Sequence, residues 1–332
     1  MSALSPVFQQ PAGSTDFAVE QLAALCKASG DSRRLQILRV LRQDSFGVLE
    51  LCSLFGMRQP ALSHHLKVLH GAGLISSRRE GNTIYYRRAP LGQAAGLAAL
   101  QKNLFETVDQ LELTPTVETG LAELQRGRVR LSEQFFRQNA DKFRRQQDLI
   151  ASYEQYADTV AGLLRDAAIG QRRLALEVGP GDGRFLAELS PAFARVVALD
   201  SSAEMLANAR ALAARQRLEN IEFVLGDPGH PRLAELAADC IVVNMVLHHT
   251  ASPAAMFRDL AACLAVGGRL LITELGHHHQ VWARESCGDL WLGFEPADLQ
   301  AWAQAAGLTE VAAVYLAQRN GFQIQVRLFG HQ

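Results

Sequence analysis

The chain has 332 residues, enough for two domains at roughly 150 residues each, and its 48% apolar and 20% charged content excludes wholesale disorder. No apolar run reaches the about 18 residues of a membrane span, and five scattered cysteines without a C-x-x-C pair argue against a disulfide frame or a zinc knuckle. The net charge of −1 conceals a polarity: residues 31–90 hold ten basic against four acidic residues, whereas from Leu113 onward there are 21 basic and 25 acidic ones, which predicts a polyanion partner for the first part only.

Residues 1–10 have neither the basic start nor the apolar centre of a secretory signal, so a cytoplasmic protein is expected. Residues 17–28 carry Leu22, Leu25 and Cys26 at the spacing of one helical face. Asp31 and Ser32 supply cap chemistry for a second helix over 33–42, with Leu35, Leu38 and Leu41 inward. A third helix, 48–55, stops at Gly56, and a fourth runs to Gly71 with Pro60 in its first turn, where proline is tolerated. Residues 75–79 and 83–88 alternate around Glu80-Gly81-Asn82, a hairpin signal, and 91–111 reads as a long Ala- and Leu-rich helix.

Residues 113–145 are poor in apolar side chains and read as a linker that becomes helical, followed by a helix over 146–165. Short apolar runs then alternate with Ala-rich helices: 174–178, 196–199, 221–225, 240–243 and 269–274. That alternation predicts a mostly parallel sheet covered by helices on both faces. Two last strands, 311–316 and 322–329, are separated by too few residues for a crossover and should pair antiparallel.

The first half therefore forms a winged helix-turn-helix. On the fourth helix Leu62, Leu66 and Leu69 face inward, leaving Gln59, Ser63, His64 and Lys67 on a polar face suited to base edges in the major groove. Arg78, Arg79, Arg87 and Arg88 in the hairpin are candidates for phosphate contacts, which position without reading sequence.

In the second half the strongest motif is Leu176-Glu177-Val178-Gly179-Pro180-Gly181-Asp182-Gly183, following a strand and opening a helix. Alternate glycines let the backbone turn sharply and approach a ligand at the strand's carboxyl end. A nicotinamide fingerprint needs G-x-G-x-x-G, and the sixth position here is Arg184, so a nucleoside ligand without a pyrophosphate is favoured. Asp200, with Ser201 beside it, ends the second strand, Gly226-Asp227 the third and Asn244 the fourth. Each acid could singly be a helix cap; together they line the sheet edge where such folds bind ligands.

Residues 17–112 resemble the ArsR family of bacterial winged-helix regulators, through Asp31-Ser32-Arg33-Arg34-Leu35, the Gln59-to-Lys67 helix and Gly73-Leu74-Ile75. The resemblance implies a homodimer built on the first helix and on 91–111, binding double-stranded operator DNA. Many relatives sense metals through Cys-x-Cys in the third helix; here Cys52 is followed by Leu54 in the second position, and 91–111 has no histidine, so no metal effector is expected. Residues 146–330 resemble class I S-adenosylmethionine (SAM)-dependent methyltransferases, with Val246-Leu247-His248-His249 like enzymes of ubiquinone and menaquinone biosynthesis. This implies a Rossmann-like sheet in order 3-2-1-4-5-7-6, SAM or S-adenosylhomocysteine as ligand, and a glycine-containing turn over 264–268. By motif position Glu177, Gly179, Gly181 and Gly183 would hold the methionine part, Asp200 the ribose, Met205 the adenine ring and Asp227 its amino group. Residues 135–143, with Phe135, Phe136 and Phe143, resemble a segment that covers the site in such enzymes.

His248 and His249, with the run His277-His278-His279, are expected at the same sheet edge, as a general base for a small-molecule methyl acceptor or as a hydrogen-bonded pocket wall. No metal site is expected there, because consecutive histidines in a loop do not set ligand geometry. Trp282, Trp291, Phe294 and Trp302 are either pocket wall or core. An arsenite acceptor would need thiols at the pocket, an arrangement that Cys240, Cys263 and Cys287 do not make. Amino-group DNA methyltransferases carry a D/N-P-P-Y/F/W motif, which Asn244-Met245-Val246-Leu247 is not. The leading expectation is a regulator whose second domain binds SAM or its product, and the alternative is a small-molecule methyltransferase with an autoregulatory DNA-binding domain.

Overall fold

The computed structural model describes residues 14–42, 44–92, 95–233 and 236–331, the side chains of 14–17, 95 and 140–145 excepted. The expectation for residues 1–10 lies outside these, as does the side chain of Phe143. Two compact units divide between Leu121 and Ala122.

In the first unit, α1 (Ser14–Ser29) precedes α2 (Ser32–Val40), whose cap Asp31 accepts from the Arg34 amide at 2.9 Å. The strand β1 (Phe46–Gly47) leads into α3 (Val48–Phe55), which ends at Gly56 in the left-handed region, and α4 (Gln59–Gly71) follows. The turn needs that glycine because the chain reverses its helical sense there. β2 (Ile75–Glu80) and β3 (Thr83–Arg88) pair antiparallel, and β1 adds to the outer side of β3. Leu62, Leu66 and Leu69 are buried, as the i, i+4, i+7 spacing predicts, and so are Ile37 and Leu38 of α2 and Leu51 of α3. α5 (Ala95–Asp109) closes the unit.

The segment 113–145, expected as a linker that becomes helical, is helical from Pro115: α6 (Pro115–Ile150) is one helix of 36 residues, with the division between units inside it. Few of its residues need burial, and a long helix with a polar surface is what such a composition supports. The expected helix over 146–165 is instead interrupted after Ile150 by a tight turn at Tyr153–Gln155, where the Gln155 side chain accepts from the Ser152 amide at 2.7 Å. The chain resumes as α7 (Ala157–Asp166).

The second unit then alternates: β4 (Leu174–Val178), α8 (Leu186–Ala192), β5 (Arg195–Asp200), α9 (Ala203–Gln216), β6 (Ile221–Leu225), β7 (Ala238–Asn244), α10 (Pro253–Ala262), β8 (Leu264–Leu275), α11 (Trp282–Cys287), α12 (Pro296–Ala305), β9 (Leu308–Ala317) and β10 (Gln323–His331). The sheet order is β6-β5-β4-β7-β8-β10-β9, which is 3-2-1-4-5-7-6 when counted from β4. β4 to β8 run parallel, and β10 is antiparallel to both neighbours, as the short closing connection requires. Ala175 and Leu176, which face opposite ways, are both fully buried, so helices cover both faces. The expected turn over 264–268 is corrected: these residues belong to the start of β8, where Leu264 already pairs with Ala238 ahead of a register shift.

Candidate functional site

The parallel strands end side by side, and the loops leaving β4, β5, β6 and β7 form a cleft. One part, about 700 Å³, is bordered by Tyr153, Glu177, Gly181, Arg184, Met205 and Asn244. A second, about 390 Å³, is bordered by Asp200, Asp227, Val246 and His249, with Phe136 from α6. Both are bordered by Gly179, Gly181, Met205 and Met245, so they are two arms of one cleft.

The loop after β4 turns tightly enough that two glycines have no substitute. A Cβ on Gly179, at φ +65°, would lie 2.5 Å from Cγ2 of Val246. One on Gly183, at φ +84°, would lie 2.8 Å from the backbone of Ala209 in α9. The loop backbone is thereby pressed between the β7 exit and α9, with its amide edge along the cleft.

Glu177 is 1% exposed, and its Oε2 has no hydrogen-bond partner among the described residues. Burial pushes its carboxyl up to about 8, the charges of Asp182 and Asp200 adding to the rise and the Asn244 amide opposing it. Asn244 is oriented by accepting from the Thr273 hydroxyl at 2.7 Å. A buried carboxylate oxygen at a cleft floor, with only an amide for company, suits a cationic group. Asp200 accepts from the Ser202 amide at 2.9 Å, while burial holds its carboxyl up at about 6 despite the amides of Ser202 and Ser201. The cap of α9 is Ser202, which accepts from the Met205 amide at 3.2 Å, so Asp200 is not spent on capping that helix. Asp227 is exposed and accepts from the Gly229 amide at 2.9 Å.

The structure thus brings Glu177, Gly179, Gly181, Asp200, Ser201, Met205, Gly226, Asp227 and Asn244 to one cleft, with Gly183 behind it against α9. His249 borders the same cleft, and its ring meets Phe136 edge-on at 5.0 Å. His248 lies deeper, fully buried, with Nδ1 2.5 Å from Glu274 Oε1. Tyr153 and Arg184 are cleft residues that the sequence reading missed. Arg184 pairs with Asp182 at 3.0 Å and Glu154 at 2.7 Å, and its guanidinium lies 5.2 Å from the centre of the Tyr153 ring. The sequence signal was weak, since Tyr153 comes from a turn where a continuous helix was expected. Of the four aromatic residues considered for a pocket wall, Trp291 and Phe294 are buried and Trp302 packs on Phe257 and Phe294, while Trp282 is part-exposed.

In the first unit Gln59, Ser63, His64 and Lys67 are all exposed along α4. The wing arginines divide. Arg79 is exposed at the hairpin tip, and Arg78 pairs with Glu80. Arg87 donates to the Ser76 hydroxyl at 3.2 Å. Arg88 turns inward: it donates to the Leu38 carbonyl at 2.8 Å and to Asp109 at 2.7 Å, and lies 4.6 Å from the centre of the Phe105 ring. Asp109, which also pairs with Arg42, supplies the counter-charge that draws it there.

Comparison with known proteins agrees with both units. Residues 31–77 match the family "Bacterial regulatory protein, arsR family", and residues 176–272 match "Methyltransferase domain". The nodulation protein NolR of Rhizobium meliloti is 34% identical over 98 residues, covering 30% of this chain and 80% of that protein. An uncharacterized HTH-type transcriptional regulator of Methanocaldococcus jannaschii is 38% identical over 68 residues, 20% of this chain and 76% of that one. The arsenite methyltransferase of Halobacterium salinarum is 32% identical over 113 residues, 33% of this chain and 29% of that enzyme. Against three relatives matched over 113 to 129 residues, the chain spans only 25 to 31% of their length. No helix among the described residues is long and apolar enough to cross a membrane.

Proposed function

We propose, for a chain that belongs to the arsR family of bacterial regulatory proteins and joins that unit to a SAM-dependent methyltransferase fold, a DNA-binding transcriptional regulator whose second unit binds SAM or S-adenosylhomocysteine. The observation that carries the ligand reading is the buried, unpartnered Glu177 oxygen at the floor of a glycine-walled cleft, with Asp200 at the next strand end. Glu177 would take the ligand's ammonium group, Asp200 both ribose hydroxyls, Met205 the adenine face and Asp227 the adenine amino group. Bound SAM supplies a sulfonium-activated methyl group. The chain's part is to hold the nucleoside along the loop amides and to keep water from the second arm of the cleft, where Phe136 and His249 meet. That arm, about 390 Å³ beside the ligand position, is what favours the further reading of a methyltransferase acting on a small molecule whose identity is open.

Ligand binding then follows the ionisation of Glu177. With the carboxyl at about 8 in the folded chain, binding of a cationic amine is expected to tighten about tenfold per pH unit between about 6 and 8. Glu177→Gln should flatten that dependence. The sign for stability is opposite: the folded-state value lies above the unfolded one, so the protonated residue favours the fold at low pH, and that contribution falls as pH rises from about 4.5 to about 8. Calorimetric binding and urea unfolding across this range measure both, and a pH-independent affinity in the wild type would remove Glu177 from the site.

For DNA, α4 presents Gln59, Ser63, His64 and Lys67 toward base edges, with Arg79 toward phosphate. Exposed apolar residues on α1 (Val19, Leu22) and α5 (Leu100) suit the homodimer surface of a cytoplasmic regulator, and sedimentation should report twice the chain mass of 36.3 kDa. α6 passes in sequence from the first unit to the Phe136 wall of the second and is the segment through which ligand state would bias DNA affinity. The test is DNA-binding anisotropy on the upstream region of the gene at fixed salt, without ligand, with SAM and with S-adenosylhomocysteine. Different shifts with the two ligands support a methyl-cycle sensor; tight binding that ignores both leaves the second unit as an enzyme only.

A further inference from the structure

Behind the cleft, three side chains from two distant segments of the sequence meet at separations too long for hydrogen bonds between them. His248 and His249 lie in the turn Leu247–His249 after β7, and Asp289 follows Gly288, which ends α11 in the left-handed region. One nitrogen from each histidine and one Asp289 oxygen lie within 4.8 Å of one another, and all three residues are buried. His248 Nε2 is 3.9 Å and His249 Nδ1 3.8 Å from Asp289 Oδ1; His249 Nδ1 also lies 3.3 Å from the Gly288 carbonyl oxygen, a contact that an ion at Nδ1 would have to break. The separations from Asp289 are too long for hydrogen bonds. Among the described residues neither carboxylate oxygen of Asp289 has a hydrogen-bond partner, nor has His248 Nε2, and both side chains are fully buried.

The far side of His248 is fully organised. Glu274, 0% exposed near the end of β8, accepts from His248 Nδ1 at 2.5 Å and from the His248 amide at 3.2 Å. It also accepts from the Leu275 amide at 2.6 Å. With Glu274 accepting at Nδ1, Nε2 is the ring nitrogen left facing Asp289 at 3.9 Å, and, although burial opposes it, the two carboxylates together raise the basicity of the imidazole. A carboxylate behind a histidine, with the other ring nitrogen turned away from it, is the arrangement that orients a metal ligand.

A buried carboxylate without a donor, opposite two imidazoles, is costly unless a positive charge lies among them. A proton does not span 3.9 Å. A divalent ion does: bonds of about 2.0–2.2 Å in tetrahedral geometry place ligand atoms roughly 3.3–3.5 Å apart, so Asp289 Oδ1 closes on each nitrogen by about half an ångström and the set, within 4.8 Å, by at most about 1.5 Å. Two nitrogens and one carboxylate oxygen suit zinc better than calcium or magnesium, which take oxygen sets.

We propose that His248, His249 and Asp289 form a zinc-type divalent-cation site, with Glu274 as the residue that orients His248. His249 also borders the smaller arm of the cleft, which gives an ion its route in. The site departs from the sequence expectation of no metal, and it stands whether or not the chain transfers methyl groups.

The test is zinc titration of the EDTA-stripped full chain in competition with a chromophoric chelator, together with the visible spectrum of the cobalt(II) form. The expected result is one tight site per chain, a tetrahedral cobalt spectrum without a thiolate charge-transfer band, and a melting temperature that zinc raises. Asp289→Asn and His249→Ala should each weaken zinc at least about 100-fold, and Glu274→Gln about 10- to 100-fold. His277→Ala with His279→Ala should leave affinity unchanged. No tight zinc, a thiolate band, undiminished binding in a folded Asp289→Asn chain, or loss in the His277/His279 variant would each overturn the assignment. Should Asp289→Asn fail to fold, the wild-type cobalt spectrum and the His249→Ala titration decide.

Discussion

Asp200→Ala is expected to weaken binding of S-adenosylhomocysteine about 100-fold, measured by isothermal titration calorimetry at pH 8. Two hydrogen bonds from ribose hydroxyls to an ionised carboxylate, at the lower figure of about 1.5 kcal/mol each, contribute about 3 kcal/mol together, and about 2.8 kcal/mol is a hundredfold in affinity. The fold should tolerate the change. Burial already raises the Asp200 carboxyl to about 6, so in the folded chain its charge is disfavoured, and that cost grows as pH rises from its ordinary value toward about 6. What alanine removes from the apo protein is the acceptor for the Ser202 amide. Asp200→Asn keeps an acceptor but no charge and should fall between the two. An alanine variant that binds as tightly as wild type would put the ribose elsewhere.

The second large effect belongs to a residue whose sequence position suggests DNA and whose surroundings do not. Arg88→Ala should destabilise the first unit by about 3 kcal/mol in chemical unfolding, because it removes a charge-assisted hydrogen bond to Asp109 and one to the Leu38 carbonyl together with the packing on Phe105, leaving Asp109 with Arg42 alone. Arg88 ties β3 to the Leu38 carbonyl of α2, to Asp109 of α5 and to the Phe105 ring at once. Lysine keeps the charge but cannot donate in two directions from one planar group, so Arg88→Lys should recover only part of the loss. Arg79→Ala, at the exposed hairpin tip, should leave unfolding unchanged and lower the salt dependence of DNA binding by about one counterion. If Arg88→Ala unfolds like wild type and mimics Arg79→Ala on DNA, Arg88 faces phosphate after all.

The two arginines mark where reading a sequence stops. Periodicity is local, so Leu62, Leu66 and Leu69 announced the buried face of α4 and the polar residues opposite them. Strand ends are local too. The run Glu177 to Gly183, Asp200 after β5 and Asp227 after β6 each follow an apolar stretch, and parallel connection places consecutive carboxyl ends on one edge of the sheet. For these reasons the two-domain architecture and the candidate cleft were legible before any coordinates, while the strand order came only through the resemblance to class I methyltransferases.

Wherever two distant segments decide the outcome, the tertiary structure alone carried the answer. The direction of Arg88 depends on Asp109, 21 residues further on, and alternation in β3 does not encode it. The continuous α6 hides in a sequence with few apolar residues, because a helix that leaves much of its surface in solvent needs no regular stripe. His248 and Asp289 are separated by α10, β8 and α11, and only the return of the chain after Gly288 brings that carboxylate to the end of β7. Spacing along the chain determined which groups stand at the sheet edge. Chain return through space determined which buried charges face one another, because a carboxylate's partner is set by packing and not by neighbours in sequence.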